Sequence, residues 1–161
     1  MNIKISFYHC LILLSVTFGI AGCGNGLVPL RGKVTYSDDG SPLTMGYVYF
    51  DNGKELARGK INADGTYVVG SRSANDGLAP GSYKIYVQAT GPDPSGAVET
   101  VWQSGPASGQ PQEAGTGLRR QVPLVDSKFT SSATSGLKLN VDRTTKSHDI
   151  VVDKSPYLKQ K

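Results

Sequence analysis

The stretch SYKIYVQA, residues 82–89, alternates apolar or aromatic side chains with mostly polar ones along its whole length. An alternation with a period of two is typical of a β-strand that buries one face. One face carries Tyr83, Ile85, Val87 and Ala89, and the other carries Lys84, Tyr86 and Gln88. We therefore predict a strand here whose first set of side chains lies in the core.

Six further segments have the length and composition of short strands. They are LRGKVTY (30–36), GYVYFD (46–51), ELARGKI (55–61), GTYVVG (65–70), LKLNVD (137–142) and HDIVVD (148–153). A period of two assigns further core positions, which are Leu30, Val34, Tyr36, Val48, Phe50, Tyr67, Val69, Leu137, Leu139, Val141, Ile150 and Val152.

Four turn-forming pairs lie between the early segments, at intervals of 13, 12 and 12 residues: Asp39-Gly40, Asn52-Gly53, Asp64-Gly65 and Asp76-Gly77. Such pairs suit the positive φ angles that hairpin turns need. Long segments with a helical period are missing. The sequence therefore predicts an all-β domain over residues 30–154, a seven-stranded antiparallel Greek-key sandwich of the transthyretin or immunoglobulin type.

The alternation fails in one long segment, residues 90–121. This segment is rich in Gly, Pro, Ser and Gln, and Trp102 is one of its few apolar residues. A loop of this length without regular structure is uncommon, and it is usually functional or disordered. We predict a flexible, disordered loop.

The amino end has the pattern of an export signal. One lysine, Lys4, precedes a short apolar run that ends in small residues, and the run is too short for a typical membrane-spanning helix. The tetrapeptide Ile20-Ala21-Gly22-Cys23 resembles the bacterial lipobox, which implies cleavage before Cys23 and acylation of its thiol. We predict a lipoprotein signal peptide over residues 1–22 and a short tether over 23–29. The alternative is an ordinary secretory signal with a chance cysteine.

The predicted mature chain is only mildly basic. Removing residues 1–22 deletes Lys4 and no acidic residue, so the formal charge falls from +4 to +3. The cations look scattered apart from Arg119-Arg120 and the basic tail at 155–161, so nucleic acid is not an expected partner. Gly24 after the lipidated cysteine favours the outer membrane over other cell-envelope locations, by analogy with enterobacterial sorting.

Several segments together resemble small bacterial lipoproteins that have a carboxypeptidase regulatory-like, transthyretin-type domain. The matching stretches are GKVTYSDDGSPL, GYVYF, INADGTYVV, LAPGSYKIYVQA and PLVDSKFTSSATSGLKLNV. Asp126 stands where the family has proline, and Phe129 stands where it has tyrosine. The resemblance implies a β-sandwich accessory domain and brings no catalytic residues. Tyr83, just after the Ala79-Pro80-Gly81 entry, is expected to form a tyrosine corner.

No catalytic or metal-binding constellation is apparent in the sequence. His148 is the one histidine left after signal removal, and its position in the last strand places it near the core. Asn62, Asp64 and Gly65 match only part of a calcium loop, so a hairpin turn is the better interpretation. We predict that the protein is not an enzyme and that it needs no cofactor or metal.

The one functional pattern is aromatic. Tyr47 and Tyr49 point outward from the second predicted strand and Tyr86 from the fifth, and these rings could form a flat patch that stacks on sugars if the strands are neighbours. Cross-strand pairing that only stabilises the sheet is the simpler account. We predict a membrane-anchored, non-catalytic binding or scaffolding module for an envelope protein or polysaccharide. The alternative is a carbohydrate-binding module that uses this patch, with Trp102.

Overall fold

The computed structural model describes residues 26–93, 96, 98–99 and 118–159. The predicted signal segment, Cys23 and Trp102 lie outside the described residues. The described chain is mostly β-sheet with very little helix, so the all-β prediction is confirmed.

Eleven strands, one 3-10 turn and one short helix are described. The strands are β1 (Arg31–Tyr36), β2 (Tyr47–Asp51), β3 (Leu56–Ile61), β4 (Thr66–Gly70), β5 (Gly81–Gln88), β6 (Thr90–Pro92), β7 (Val98–Glu99), β8 (Leu118–Arg119), β9 (Gln121–Pro123), β10 (Leu137–Val141) and β11 (Ile150–Val152). The 3-10 turn spans Ser127–Thr130, and the helix α1 spans Pro156–Lys159.

Seven strands form one sheet in the order β10-β5-β2-β3-β4-β1-β11. These are the seven segments found in the sequence, with ends that differ by one or two residues. Val141 of β10 and Ile150 of β11 belong to one core cluster although their strands are the opposite edges of the sheet. The sheet is therefore curled, so that its two ends share one core.

The sheet is mixed, so the prediction that it is antiparallel is wrong for one pair. β1 and β11 run parallel, with Val34 opposite Ile150 and Tyr36 opposite Val152. Side-chain alternation has the same period in parallel and antiparallel strands, so it does not reveal direction. The direction of β11 is set instead by the connection that crosses from β10, at one edge, to the other edge of the sheet.

The predicted core faces are confirmed. Every side chain assigned inward in β1, β2, β4, β5 and β11 is buried, whereas Leu137 and Leu139 of β10 are only half-buried. The core also contains residues outside the seven strands that the alternation did not identify, namely Val28, Leu43, Leu78, Val125 and Phe129. The core therefore extends beyond the side chains that the strands supply.

The turn glycines adopt positive φ angles as expected, but only two of the four pairs make hairpins. Gly53 (φ 81°) joins the neighbouring strands β2 and β3, and Gly65 (φ 83°) joins β3 and β4. Gly40 (φ 68°) and Gly77 (φ 97°) lie in connections between strands that are not neighbours.

The ends of the 90–121 segment form regular structure, so the prediction of a loop without structure is wrong there. β6 pairs with β9, and β7 pairs with β8, both antiparallel. The two ends of the segment therefore leave the domain side by side. Residues 100–117, which connect β7 to β8 and include Trp102, lie outside the described residues.

Candidate ligand-binding face

The outward face of the sheet brings the three tyrosines together. β2 and β5 are neighbours, and Tyr49 lies directly opposite Tyr86. The Tyr49 and Tyr86 rings are stacked, with centroids 4.8 Å apart and planes 7° from parallel. Tyr47 is 6.2 Å from Tyr49 and is tilted by 44°. The three tyrosines could form one patch only if β2 and β5 were neighbours, and the two strands are neighbours.

The geometry differs from the expected flat patch. Two parallel rings at this centroid separation lie face to face with an offset, because rings lying side by side in one plane would need a larger separation. Tyr49 and Tyr86 thus cover part of each other and are half-buried. Burial is the main cause that raises the pKa of Tyr86, and the neighbouring Tyr49 and Asp51 raise it further. Tyr47, 38% exposed, is the most accessible of the three rings.

Cations surround the tyrosines on the same face. Arg58 of β3 lies opposite Tyr49, and its guanidinium carbon is 5.6 Å from the centroid of the Tyr47 ring. A guanidinium at this distance makes a cation–π contact. Lys60 lies opposite Tyr47. Arg58 and Lys60 were not among the residues predicted for a site, although a period of two over residues 55–61 places both of them outward.

A second row of charge crosses the same face beside the tyrosines. Lys84 of β5 lies between Lys138 of β10 and Asp51 of β2. The outward positions of β10, β5, β2 and β3 therefore carry four cations and one carboxylate. These cations looked scattered in the sequence because each strand contributes only one or two of them.

Many acidic side chains stabilise turns instead. Asp39, Asp64 and Asp142 each accept hydrogen bonds from backbone N–H groups two or three residues ahead. Hydrogen bonds from Thr144 and Thr145 lower the pKa of Asp142 to about 2. These three carboxylates thus lie in turns, whereas the outward face of β10, β5, β2 and β3 carries four cations and one carboxylate.

A groove borders the tyrosine cluster. It has a volume of about 510 Å³, and Tyr49, Arg58, Lys60, Val68, Ser71 and Arg72 are among its lining residues. The carboxylate of Asp76 holds the rim loop by accepting hydrogen bonds from the backbone N–H groups of residues 71, 72 and 73, at 2.7, 3.2 and 2.9 Å. Within the described part of the chain, the Ser71 hydroxyl is the one buried side-chain polar group without a hydrogen-bond partner. The groove is therefore lined by three cations, one of which, Arg72, lies 3.9 Å from the Glu55 carboxylate.

His148 lies two residues before β11 and near the core, on the side that the alternation indicated. Its side chain is half-buried, and burial lowers its pKa despite the opposing effect of Asp149. Its backbone N–H donates to the Arg31 carbonyl, and its carbonyl accepts a 2.6 Å hydrogen bond from the Tyr67 hydroxyl. These contacts place His148 in the framework of the sheet.

The partial calcium motif forms a hairpin turn. The Asp64 carboxylate accepts hydrogen bonds from the Thr66 backbone N–H and hydroxyl, at 3.0 and 2.7 Å. Among the residues that the structure describes, no three His, Cys, Asp or Glu side chains cluster as metal ligands would.

The described ranges contain no helix with the length and apolar character needed to cross a membrane. No family model, curated protein or solved structure matches this chain.

Proposed function

We propose that the chain is an exported lipoprotein, acylated on Cys23, whose β-domain is a non-catalytic binding or scaffolding module at the cell envelope. The lipobox-like Ile20 to Cys23 supports the anchor, and Gly24 favours the outer membrane. Two or more acyl chains hold a protein stably in a bilayer. The chain takes five residue steps from Cys23 to the buried Val28 and spans at most about 18 Å over them, so the domain lies close to its membrane.

One observation carries the binding role: the tyrosine cluster, the flanking cations and the groove are continuous on one face of the seven-stranded sheet. Tyr49 and Arg58 take part in both the cluster and the groove. Strands β2, β3 and β5 each have a neighbour on both sides, so these side chains stand on a rigid base. A site on such a base holds its geometry better than one on a loop.

The same domain is proposed to be a two-layer Greek-key sandwich of the transthyretin type, related to the carboxypeptidase regulatory-like family. In the order β5-β2-β3-β4, the fourth strand of the series lies beside the first, which is the Greek-key order. The core cluster shared by both edge strands supports two facing layers. The tyrosine corner at Tyr83, whose hydroxyl is bonded to the Ala79 carbonyl, also supports this relationship.

Carbohydrate binding is the second candidate function. It is favoured by the exposed Tyr47 ring beside Arg58, and by the adjoining groove that Arg58 and Lys60 also line. An amphipathic ring contacts the C–H surface of a sugar, while hydroxyl and guanidinium groups bind its oxygens. The surrounding cations favour acidic sugars over neutral ones. In this function the Tyr49–Tyr86 stack supports the site, and Tyr47 makes the main contact.

The test is binding of a soluble chain, residues 24–161, to polysaccharide and cell-wall fractions. Every core residue lies between Val28 and Val152, so this chain keeps the whole core. Tyr47→Ala is compared with Tyr157→Ala, which removes an exposed tyrosine (55%) from α1. Saturable binding lost only in Tyr47→Ala supports the carbohydrate function.

A different result separates the scaffold from the sugar-binding module. A scaffold is supported if the chain binds an envelope protein in two defined ways. This binding should be unchanged in Tyr47→Ala, and it should be lost when residues 100–117 are replaced by a short glycine-serine linker. Absence of binding to every fraction by the folded protein contradicts both candidate functions.

A further inference from the structure

A second cleft lies where the predicted tether joins the domain. It has a volume of about 510 Å³, with an apolar floor that includes Val28, Leu30 and Val68. Its rim carries Arg31, Arg143 and Lys146. We call it the tether cleft.

The fold brings these three cations together from distant parts of the sequence. Arg31 begins β1, and its backbone N–H donates a 3.3 Å hydrogen bond to the Lys146 carbonyl. The Arg31 carbonyl accepts a 2.9 Å bond from the His148 N–H. Asp142 fixes the turn that carries Arg143 by accepting bonds from the Thr144 and Thr145 backbone, at 2.8 and 2.9 Å. The rim is therefore held by backbone hydrogen bonds on both sides.

The rim cations are available to an outside anion. The residues that line the cleft include three cations and no carboxylate. Among the described residues, none of the three cations forms an ion pair. The nearest carboxylates along the chain, Asp142 and Asp149, accept hydrogen bonds from the Thr144–Thr145 turn and from the Lys33 backbone N–H, respectively.

The position of the cleft indicates which anion it meets. Val28 in its floor is five residues from Cys23, so an extended tether places the cleft within about 18 Å of the acylated residue. Phospholipid phosphates lie at the surface of the bilayer that holds the acyl chains. Arginine binds phosphate oxygens through two parallel N–H donors, and lysine adds a compact positive charge.

We propose that the tether cleft binds the headgroups of anionic phospholipids and seats the domain on the membrane in one orientation. This inference rests on the proposed acylation of Cys23, because the anchor brings the cleft to the bilayer. Each Lys or Arg near an anionic membrane surface strengthens binding about fivefold, so three together contribute about a hundredfold.

The test uses the soluble chain 24–161 and measures its cosedimentation with vesicles. The vesicles contain either phosphatidylcholine alone or phosphatidylcholine with phosphatidylglycerol. The site variant is Arg31→Gln/Arg143→Gln/Lys146→Gln. The control variant, Lys54→Gln/Arg119→Gln/Lys159→Gln, also loses three positive charges, but from exposed positions that do not line the cleft. Circular dichroism and the unfolding midpoint check that both variants are folded.

The wild-type chain is expected to bind the anionic vesicles and not the neutral ones. The site variant should bind about a hundredfold more weakly, and the control variant should bind within about fivefold of wild type. Equal losses in the two variants, or no binding of the wild type to anionic vesicles, would overturn the proposal. If the site variant does not fold, Lys146→Gln alone should lower binding about fivefold more than Lys159→Gln does, and equal effects would reject the cleft.

The result is independent of the anchor, because the soluble chain lacks Cys23. Membrane fractionation of the full chain tests acylation separately. If the soluble chain binds vesicles but the full chain is not acylated, the cleft binds lipid and the proposed anchor is wrong. Acylation without vesicle binding would reject the cleft alone.

Discussion

The hydroxyl of Tyr83 donates a 2.8 Å hydrogen bond to the backbone carbonyl of Ala79, four residues earlier in the chain. The Tyr83 ring is buried in the core, where it meets Phe50 edge to face at 6.4 Å. The bond therefore links the backbone just before β5 to a side chain that β5 places in the core. This is the tyrosine corner predicted from the order of residues 79–83.

Removing only this hydroxyl should destabilise the domain. We expect Tyr83→Phe to lower the free energy of unfolding by about 1 kcal/mol, because the part-buried Ala79 carbonyl loses its donor while the ring stays in place. Urea unfolding measures the change. The matched control is Tyr157→Phe, at an exposed position of α1, which should change stability by less than about 0.5 kcal/mol. Equal effects at the two positions would contradict a structural role for the corner.

Gly32 should not tolerate a side chain. A Cβ atom there would lie 1.8 Å from the carbonyl oxygen of His148, so Gly32→Ala must push β1 away from the segment that leads into β11. We expect a loss of about 3 kcal/mol. Gly53→Ala is the control, since its Cβ would meet nothing within 4 Å and its positive φ costs only about 1 kcal/mol. A Gly32→Ala protein as stable as Gly53→Ala would contradict the close approach.

The Tyr49–Tyr86 stack should show energetic coupling. Tyr49→Ala, Tyr86→Ala and the double variant form a cycle, in which we expect a coupling free energy of about 1 kcal/mol in unfolding experiments. A coupling near zero would mean that the rings do not stabilise the sheet through their contact. Because the expected coupling lowers stability in each single variant, ligand-binding tests at Tyr49 and Tyr86 need a parallel measurement of the folded fraction.

Stability should fall in acid in a way that depends on Asp142. The pKa of this carboxyl is lowered to about 2 in the folded chain by hydrogen bonds from the following threonines, against an ordinary value of 3.8. Its contribution is therefore present above about pH 4 and is lost as the pH falls towards 2. We expect Asp142→Asn to flatten the dependence of the urea midpoint on pH between 4 and 2. An unchanged pH dependence would contradict the assignment.

Cys23→Ala should release the chain from membranes, because the acyl chains that hold it have no thiol to join. Membrane fractionation measures the release, and intact mass shows whether the signal segment is still attached. Retention of Cys23→Ala in the membrane fraction after a high-salt wash would show that the signal has been misinterpreted. The salt wash is needed because the tether cleft is expected to bind anionic lipid through charge.

The sequence alone predicted most strand positions and their core faces, because a half-buried strand must alternate and these strands do. It did not predict the parallel pairing of β11 with β1, since alternation contains no information about direction. It also did not reveal the cation-rich face, since Arg58, Lys84 and Lys138 are far apart in the sequence and become neighbours of the tyrosines only through strand order. Loop residues such as Leu43 and Leu78 enter the core without any periodic signal.

The parallel pair also has a kinetic consequence. Lys33 and Asp149, which are joined by a 2.9 Å hydrogen bond, are 116 residues apart in the chain. The first strand therefore acquires its second neighbour only when the last strand is present, and contacts over such distances form slowly. If the chain is delivered across a membrane from its amino end in an unfolded state, β1 therefore stays without its second neighbour until β11 has also been delivered.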